Sequence, residues 1–286
     1  MDTHYFQHKG ICFASLLYSQ ERLQYLENEF HVRDDDVYLV SYPKSGTTWM
    51  IEILSLICRN GDVTWCREVP NFMRIPWLDV GGIGVKLVDE VHSPRFLASH
   101  LPIHCFPKSL FSSKAKIIYI ARSPKDVLVS LYHYAHMSYL MKKPSSFDEL
   151  MEDFLQGRVP FGSWFDHIKG WMQMKDKKNF LLVTYEDLKQ DQRGTIKKIC
   201  TFLENELEEQ AVDLVLEHSS FNSMKKNNMS NNTMVPDYIM DTKNNQFMRK
   251  GIIGDWKNHF TQEQKEYMDS IYHEKMKAID VKFSWD

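Results

Sequence analysis

The chain has 286 residues, of which 43% are hydrophobic and 26% are charged, and its formal net charge is −3. This composition is ordinary for a folded globular protein, and the length suits one large α/β domain, so we expect a single domain over residues 1–286. The slightly acidic balance argues against a general nucleic-acid binder, so any anionic ligand must be met by a local cluster of cations.

The sequence shows no recognisable secretion signal or membrane-spanning segment. The N-terminal residues lack a basic segment followed by an apolar one, and no apolar run reaches the length of a membrane span. The odd number and irregular spacing of the cysteines argue against a disulfide framework or a zinc site: Cys12, Cys58, Cys66, Cys105 and Cys200. We therefore expect a cytosolic protein with neither a membrane nor a nucleic acid as partner.

Three short apolar runs predict buried strands, at Val37–Ser41, Lys116–Ala121 and Phe180–Thr184. Their near-continuous apolar character is typical of a parallel sheet that is covered on both faces. The first two runs lead into helices, and this alternation predicts an α/β fold with a mostly parallel central sheet flanked by helices. Residues 225–233, rich in Asn, Lys and Met, predict a mobile surface loop.

Capping signals mark the helices that follow the first two strands. The first helix is expected to stop at Asn60-Gly61, since these residues suit a helix C-terminus. The second is expected to begin with Ser123 as N-cap and Pro124 at the first helical position, and Asp126 completes a pattern resembling a capping box.

The strongest chemical feature is the sequence YPKSGTTW at residues 42–49, between a strand and a helix. A glycine turn that opens a helix presents free backbone N–H groups and the positive end of the helix dipole, which together bind phosphate. Lys44 precedes the glycine, whereas the lysine of a nucleoside-triphosphate loop follows it, so this loop has a different design. Because ligands bind beyond the carboxyl ends of parallel strands, Lys44, Arg122 and Tyr185 should share one mouth.

Two further cationic elements are weaker signals. Arg122 ends the second strand and Ser130 lies eight residues later on the next helix. Taken alone, this pair is more typical of a surface arginine and an ordinary helical serine than of a phosphate site. Residues 249–251 (RKG) and 254–257 (GDWK) combine cations with glycines, which allow an anion to approach the backbone closely. On its own this second element also suits a basic surface loop.

His100 is a candidate general base, because imidazole titrates near neutral pH, although a lone histidine is usually structural. Pairing with His104 as metal ligands would need helical spacing, which Pro102 between them prevents. His133 and His136 are expected to be ordinary helix positions. We predict no metal.

Aromatic residues near both ends of the chain are candidates for an apolar pocket. Most aromatics are core residues, so each alone says little, but pockets for lipophilic ligands are lined in this way. The candidates are Phe13, Tyr18, Phe72, Trp77, Tyr134 and Tyr238.

Together these segments resemble the cytosolic sulfotransferase family over nearly the whole chain. The branch that they resemble most is the hydroxysteroid sulfotransferases, which act on steroids and bile acids. The motifs that carry the resemblance are YPKSGTTW (42–49), SHLP (99–102), IIYIARSPKDVLVS (117–130), GSWFDHIKGW (162–171), TYEDLK (184–189) and FMRKGIIGDWKNHFT (247–261).

The resemblance implies a single-domain P-loop-like fold and transfer of a sulfuryl group from 3′-phosphoadenosine 5′-phosphosulfate (PAPS) to an alcohol, giving PAP and a sulfate ester. His100 would deprotonate the acceptor hydroxyl, and Lys44 would stabilise charge on the leaving oxygen. The implied contacts of the 5′-phosphate are Ser45, Gly46, Thr47 and Thr48. Those of the 3′-phosphate are Arg122, Ser130, Arg249, Lys250 and Gly251. Those of the adenosine and the rest of the cofactor are Trp49, Tyr185, Ser219, Phe221 and Met224. The six aromatic candidates would line the acceptor pocket.

Two positions depart from the family pattern. Ala98 stands where the phenol and estrogen branch carries a lysine, so catalysis does not use a second lysine there. In the family's dimer motif, K-x-x-x-T-V-x-x-x-E, this chain has Lys257, Thr261, Gln262 and Glu266. Glutamine in place of valine puts a polar group into a small apolar interface and weakens the expectation of a homodimer through residues 257–266.

Other classes of function are less consistent with the sequence. A kinase using ATP and Mg²⁺ is disfavoured by the order of lysine and glycine and by the lack of recognisable Mg²⁺ ligands. A non-catalytic lipid carrier would not need Lys44 and His100 together. A structural or interaction protein would not need so many anion-binding elements.

Overall fold

The computed structural model describes residues 4–81 and 83–286. In chain order the strands are β1 (Tyr5–His8), β2 (Ile11–Ala14), β3 (Val37–Ser41), β4 (Phe96–Ser99), β5 (Lys116–Ala121) and β6 (Phe180–Thr184). The helices are α1 (Gln20–Asn28), α2 (Thr47–Ile57), α3 (Thr64–Glu68), α4 (Asn71–Arg74), α5 (Ile83–Glu90), α6 (Pro124–Ala135), α7 (Phe147–Leu155), α8 (Trp164–Met172), α9 (Tyr185–Gln190), α10 (Gln192–Leu203), α11 (Glu209–His218), α12 (Phe221–Lys226) and α13 (Gln262–Met276). Short 3₁₀ turns lie at Ile103–Cys105, Lys108–Ser112 and Asp255–Asn258.

The central sheet has four parallel strands in the order β4-β3-β5-β6. The three strands predicted from sequence have the predicted bounds, and the expected α/β fold with helices flanking a parallel sheet is confirmed. Strand β4 was missed, because its four residues, FLAS, are too few to give a clear apolar run. It lies at one edge of the sheet, beside β3.

Alternation along the strands separates the core into two clusters, one on each face of the sheet. Tyr38 and Tyr119 belong to one cluster, and Leu39 and Ile118 belong to the other. Since successive side chains of a strand point to opposite faces, apolar residues at every position bury both faces. This explains the near-continuous apolar runs.

The N-terminal strands β1 and β2 form a separate antiparallel hairpin. Its turn residues Lys9 and Gly10 both have positive φ, of 51° and 76°. Positive φ at both positions is what a type I′ turn requires, and that turn matches the twist of paired strands. The hairpin places Phe13 next to the carboxyl end of the central sheet.

The ends of α2 and α6 differ from expectation. Helix α2 ends at Ile57, and the chain leaves it through Asn60 and Gly61, whose φ values of 51° and 84° are positive. Helix α6 begins at Pro124 with Ser123 as N-cap, as predicted, but Ser123 makes no side-chain capping bond. The predicted capping-box role of Asp126 is wrong, since its carboxylate binds a distant loop instead.

The predicted mobile loop at residues 225–233 is anchored to the body of the protein. Ser230 is fully buried, and its hydroxyl donates to Glu52 of α2 at 2.7 Å. The backbone N–H of Asn71 donates to the carbonyl of Met229 at 2.8 Å. The buried ion pair between Arg74 and Glu52, 2.6 Å apart, joins α4 to the same cluster. The surface position is only partly as predicted, since Ser230 is buried, and the mobility of the segment stays a prediction.

Within residues 4–81 and 83–286, none of the helices combines the length and the apolar character needed to cross a membrane.

Candidate active site

The turn between β3 and α2 has the geometry of an anion cradle. Lys44 and Gly46 have φ values of 70° and 108°. A Cβ on Gly46 would lie 2.8 Å from the ring of Tyr185, so only glycine allows this close approach. The hydroxyl of Ser45 is buried and has no partner among the residues that the structure describes. A buried unpartnered donor beside a helix N-terminus fits an anionic ligand.

The ammonium group of Lys44 lies between two aromatic rings. Its Nζ is 4.2 Å from the ring centre of Tyr134 and 4.1 Å from that of Phe247. Burial, and then the positive charges of Arg122 and Arg249, lower the pKa of Lys44 to about 7. Lys44 is therefore buried with two other cations nearby, and a bound anion would favour its charged form. Phe247 was missed by the sequence analysis, although it begins the FMRKG motif.

Arg122 joins the ends of β3 and β5, as the topology predicted. Its guanidinium stacks over the ring of Tyr185 at 4.2 Å. One terminal nitrogen donates to the carbonyl of Lys44 and the other to the carbonyl of Ile252, each at 3.2 Å. Its Nε has no partner among the described residues. The predicted grouping of Lys44, Arg122 and Tyr185 is thus present.

Residues 249–257 are brought to this mouth from far along the chain. Asp126 on α6 accepts the backbone N–H groups of Gly254 at 2.6 Å and Trp256 at 3.0 Å. Gly251 has a φ of 63°, and a Cβ there would lie 2.2 Å from the ring of Phe221. Glycine at this position therefore lets the loop pack on α12.

The cations of the same loop are held by Asp255, a residue whose role the sequence did not reveal. Arg249 and Lys250 approach the Asp255 carboxylate at 2.6 and 2.7 Å. Burial acts to raise the pKa of Asp255, but hydrogen bonds from Lys250, Asn258 and Arg249 outweigh it and hold that pKa well below its usual value. Asp255 thus fixes both cations and offsets part of their charge.

The residues expected at the adenosine lie around the start of α2. The ring of Trp49 packs 5.3 Å from that of Tyr185, and its indole N–H donates to the carbonyl of Ser219 at 2.8 Å. The Ser219 hydroxyl is fully buried and donates to the Val215 carbonyl at 2.5 Å. Met224 is buried nearby on α12. In this arrangement the Ser219 hydroxyl is already hydrogen-bonded within the protein.

His100 follows β4 and faces the carboxyl end of β3. Its Nδ1 lies 2.7 Å from the carbonyl oxygen of Ser41. Because a carbonyl can only accept, Nδ1 carries the proton and Nε2 keeps its lone pair. Burial, together with the charge of Lys44, lowers the pKa of His100 to about 4 against the opposing effect of the Ser41 carbonyl. The imidazole is therefore neutral at physiological pH and suited to accept a proton.

Helix α8 holds the segment that carries His100. The Nε2–H of His167 donates to the carbonyl of His100 at 3.1 Å, and its Nδ1 accepts the hydroxyl of Tyr119 at 2.8 Å. The indole of Trp171 donates to the carbonyl of Leu101 at 3.1 Å. These bonds give the GSWFDHIKGW motif a role in the site.

Four of the predicted apolar residues gather near His100 and Lys44, and one further aromatic residue was missed. The His100 ring lies 4.6 Å from Trp77 and 5.3 Å from Phe161, and Phe161 is 5.4 Å from Tyr18. Phe13 packs against Tyr18, and Tyr134 covers Lys44. Phe161 lies between Pro160 and Gly162 and has a φ of 70°. This unusual backbone conformation cannot be recognised from the residue type alone.

The two remaining pocket candidates are Phe72 and Tyr238. Phe72 lies on α4. Tyr238 is 64% exposed. Their contribution to an acceptor pocket stays a prediction.

The other histidines lie on or beside helices. His133 is on α6, and its Nε2 is 3.1 Å from Nε2 of His259, while His136 caps the end of α6. His104 lies in the 3₁₀ turn after Pro102 rather than on an α-helix. Within the described residues, no group of three or more His, Cys, Asp or Glu side chains is arranged to hold a metal ion.

The family model described as "Sulfotransferase domain" matches residues 34–280. The chain belongs to the sulfotransferase family. It is 49% identical to human Sulfotransferase 2B1 over 99% of this chain and 77% of that protein. It is 47% identical to the 3-alpha-hydroxysteroid sulfotransferase of Cavia porcellus over 97% of this chain and 96% of that protein.

A solved sulfotransferase has the same fold. Mouse sulfotransferase SULT7A1, crystallised with PAP, superposes with a TM-score of 0.81 at 32% identity, covering 97% of this chain and 96% of that one. The resemblance to the hydroxysteroid branch of the sulfotransferases is confirmed by the identities to the relatives named above. Membership of this family leaves the ATP-dependent kinase without support.

Proposed function

We propose that this sulfotransferase transfers a sulfuryl group from PAPS to a hydroxyl of a lipophilic acceptor, of the hydroxysteroid or bile-acid class. The observation that carries the proposal is the contact between His100, at the end of β4, and the Ser41 carbonyl, at the end of β3 where the phosphate-type turn begins. The Ser41 carbonyl, which orients His100, lies three residues before Lys44. A base and an anion cradle are therefore held at the adjacent ends of two paired strands, β4 and β3.

In this proposal, Nε2 of His100 takes the proton of the acceptor hydroxyl as its oxygen forms a bond to sulfur. The bond between sulfur and the 5′-phosphate oxygen breaks, and PAP leaves with the electron pair. Lys44 and the N–H groups of residues 45–48 meet the charge that develops on that oxygen. The aromatic group of Phe13, Tyr18, Trp77 and Phe161 holds the acceptor.

PAPS carries about four negative charges at neutral pH, counting phosphate ionisation near pKa ~6. The cations that face the mouth are Lys44, Arg122, Arg249 and Lys250, of which the last two share Asp255. We assign the 5′-phosphate to Ser45, Gly46, Thr47 and Thr48. We assign the 3′-phosphate to Arg122, Ser130, Arg249, Lys250 and Gly251, and the adenosine to Trp49, Tyr185, Ser219, Phe221 and Met224.

We further propose that the chain works in the cytosol as one domain.

The expected dimer segment is exposed to solvent at four positions: Lys257, Thr261, Gln262 and Glu266. Gln262 donates to Glu266 at 2.6 Å, within its own helix. A homodimer through this segment would therefore be weak.

The test is incubation with ³⁵S-labelled PAPS and a panel of hydroxysteroids, bile acids and simple phenols. Labelled steroid or bile-acid sulfate is the expected product. Thermal stabilisation by PAP but not by ATP with Mg²⁺ should accompany it. The proposal is wrong if no acceptor is labelled, or if ATP with Mg²⁺ stabilises the protein better than PAP.

A further inference from the structure

Asp79 is a buried carboxylate that the mechanism above does not use. Residues 76–78 lie beside β4 and contact it through an isolated parallel bridge. Trp77 pairs with Ala98, and the N–H of Leu78 donates to the Ala98 carbonyl at 2.9 Å. The chain bends at Leu78 and Asp79, and the Asp79 carboxylate comes close to the Ser99 hydroxyl and to the backbone N–H of His100.

Asp79 follows Trp77 by two residues, and Trp77 packs on His100. The Trp77 ring is the one that lies 4.6 Å from the His100 ring. Burial raises the pKa of Tyr18, and the charge of Asp79 raises it further, so the carboxylate also lies near that ring of the pocket.

The carboxylate of Asp79 is fully buried and poorly partnered. Neither of its oxygens makes a hydrogen bond of good geometry with any described residue. The nearby Arg22 acts on it only at a distance, since the arginine donates to the Leu78 carbonyl at 2.9 Å instead. Burial raises the pKa of Asp79 to about 6. The Ser99 hydroxyl, its own N–H, Arg22 and the His100 N–H act in the opposite direction.

Burying a carboxylate in this way is unfavourable for folding, so the residue needs another explanation. His100 acquires a positive charge when it takes the acceptor's proton, and Lys44 beside it opposes that charge. The Nδ1 of His100 is bonded to a carbonyl and not to a carboxylate. A buried carboxylate close to His100 would supply the negative charge that this carbonyl does not.

We propose that Asp79 is a positioning residue for His100, whose fixed negative charge stabilises the imidazolium formed during sulfuryl transfer. The inference rests on the proposed function. The low-dielectric surroundings that make this charge unfavourable in the free protein also strengthen its effect on the His100 ring. The buried charge of Asp79 thus lowers folding stability, but it is already in position when the reaction begins.

Asp79→Asn tests the proposal, because it removes the charge and keeps the shape. We expect kcat to fall by roughly 10–100-fold, the scale of losing one preorganised electrostatic group. The acceptor KM and the Kd of PAP should stay within about threefold, and Tm should not fall, since a desolvated charge is gone. Unchanged kcat, or parallel losses of Tm, PAP affinity and kcat, would overturn the proposal.

The pH profile provides a readout that a purely structural role would not move. In the wild type, kcat should decline as the pH falls through about 6, where Asp79 is protonated while His100 remains neutral. This acid limb of the pH profile should be absent in Asp79→Asn. It should be present in Ser99→Ala, which removes a neighbouring hydroxyl and keeps the Asp79 charge. Asp79→Glu should recover part of kcat. A wild-type limb that persists in Asp79→Asn contradicts the inference.

Failure of the proposed function is distinguishable from failure of this inference. If the wild type labels no hydroxysteroid or bile acid, the proposed function falls and takes the inference with it. If the wild type is active and Asp79→Asn is equally active, only the role of Asp79 is wrong.

Discussion

The carboxylate of Asp126 accepts the backbone N–H of Gly254 at 2.6 Å, across 128 residues of sequence. A second bond, from Trp256 at 3.0 Å, makes the contact bidentate. Helix α6, which follows Arg122, therefore also holds the loop that carries Arg249 and Lys250. The two halves of the proposed 3′-phosphate site are joined by this side chain and by the bond from Arg122 to the Ile252 carbonyl.

Replacing Asp126 with Ala should loosen that loop. Two charge-assisted hydrogen bonds are lost, each contributing about 1.5–3 kcal/mol, so PAP affinity should fall by tenfold or more. Calorimetric titration with PAP measures the loss. Asp153→Asn is the matched control, because Asp153 on α7 pairs with Arg158 and not with the loop. Equal affinity in Asp126→Ala and the wild type would show that the loop needs no such anchor.

Gly251→Ala should also weaken PAP binding. The new Cβ would clash with the ring of Phe221 and disfavour the φ of 63°. We expect at least a tenfold higher Kd for PAP, since the clash displaces groups assigned to both the 3′-phosphate and the adenosine. Gly10→Ala provides the comparison, as Gly10 also has a positive φ, of 76°, but lies in the turn between β1 and β2 with open space around it. Only Gly251→Ala should alter the Kd in the same titration.

His100→Ala should lower kcat by roughly 10² or more, the usual contribution of a general base. Binding of PAP should be nearly unchanged, because His100 bonds to the Ser41 carbonyl and not to the phosphate-type turn. The rate at which sulfated hydroxysteroid forms under steady-state conditions gives kcat. His104→Ala serves as the control. Near-normal turnover in His100→Ala would remove His100 as the base.

Lys44 should couple PAP binding to proton uptake. Its pKa is about 7 in the free protein, and a bound phosphate favours the charged ammonium and so raises that pKa. At pH 8 the free lysine is largely neutral and must gain a proton on binding, so affinity should fall as the pH rises above 7. Calorimetry in two buffers of different ionisation enthalpy measures the uptake. Lys44→Met should abolish it, and an identical uptake in this variant would assign the proton to another group.

The buried pair of Glu52 and Arg74 should be important for stability. Removing one partner leaves the other charge buried, at a cost of about 3–5 kcal/mol. Arg74→Met should therefore lower the free energy of unfolding strongly and free residues 227–233, which are tied to the same cluster. The double variant Glu52→Gln/Arg74→Met should recover part of the loss. Urea denaturation gives the free energies, and full additivity of the two changes would argue against a coupled pair.

The sequence by itself determined the parallel sheet, the bounds of three of its strands and the position of the phosphate-type turn. These features depend on local causes: apolar runs, a glycine with positive φ and the direction of a helix dipole. It also placed Lys44, Arg122 and Tyr185 together, because the carboxyl ends of parallel strands meet at one edge.

Only the tertiary structure decided which polar residues act across the fold. Asp126 looked like a helix cap, residues 225–233 looked like a surface loop, and neither Asp255, Phe247 nor Phe161 stood out. The partners of these residues lie far away in sequence: Asp126, for example, is 128 residues from Gly254. A side chain's hydrogen bonds and burial depend on the packing of distant elements, and no local pattern encodes that packing.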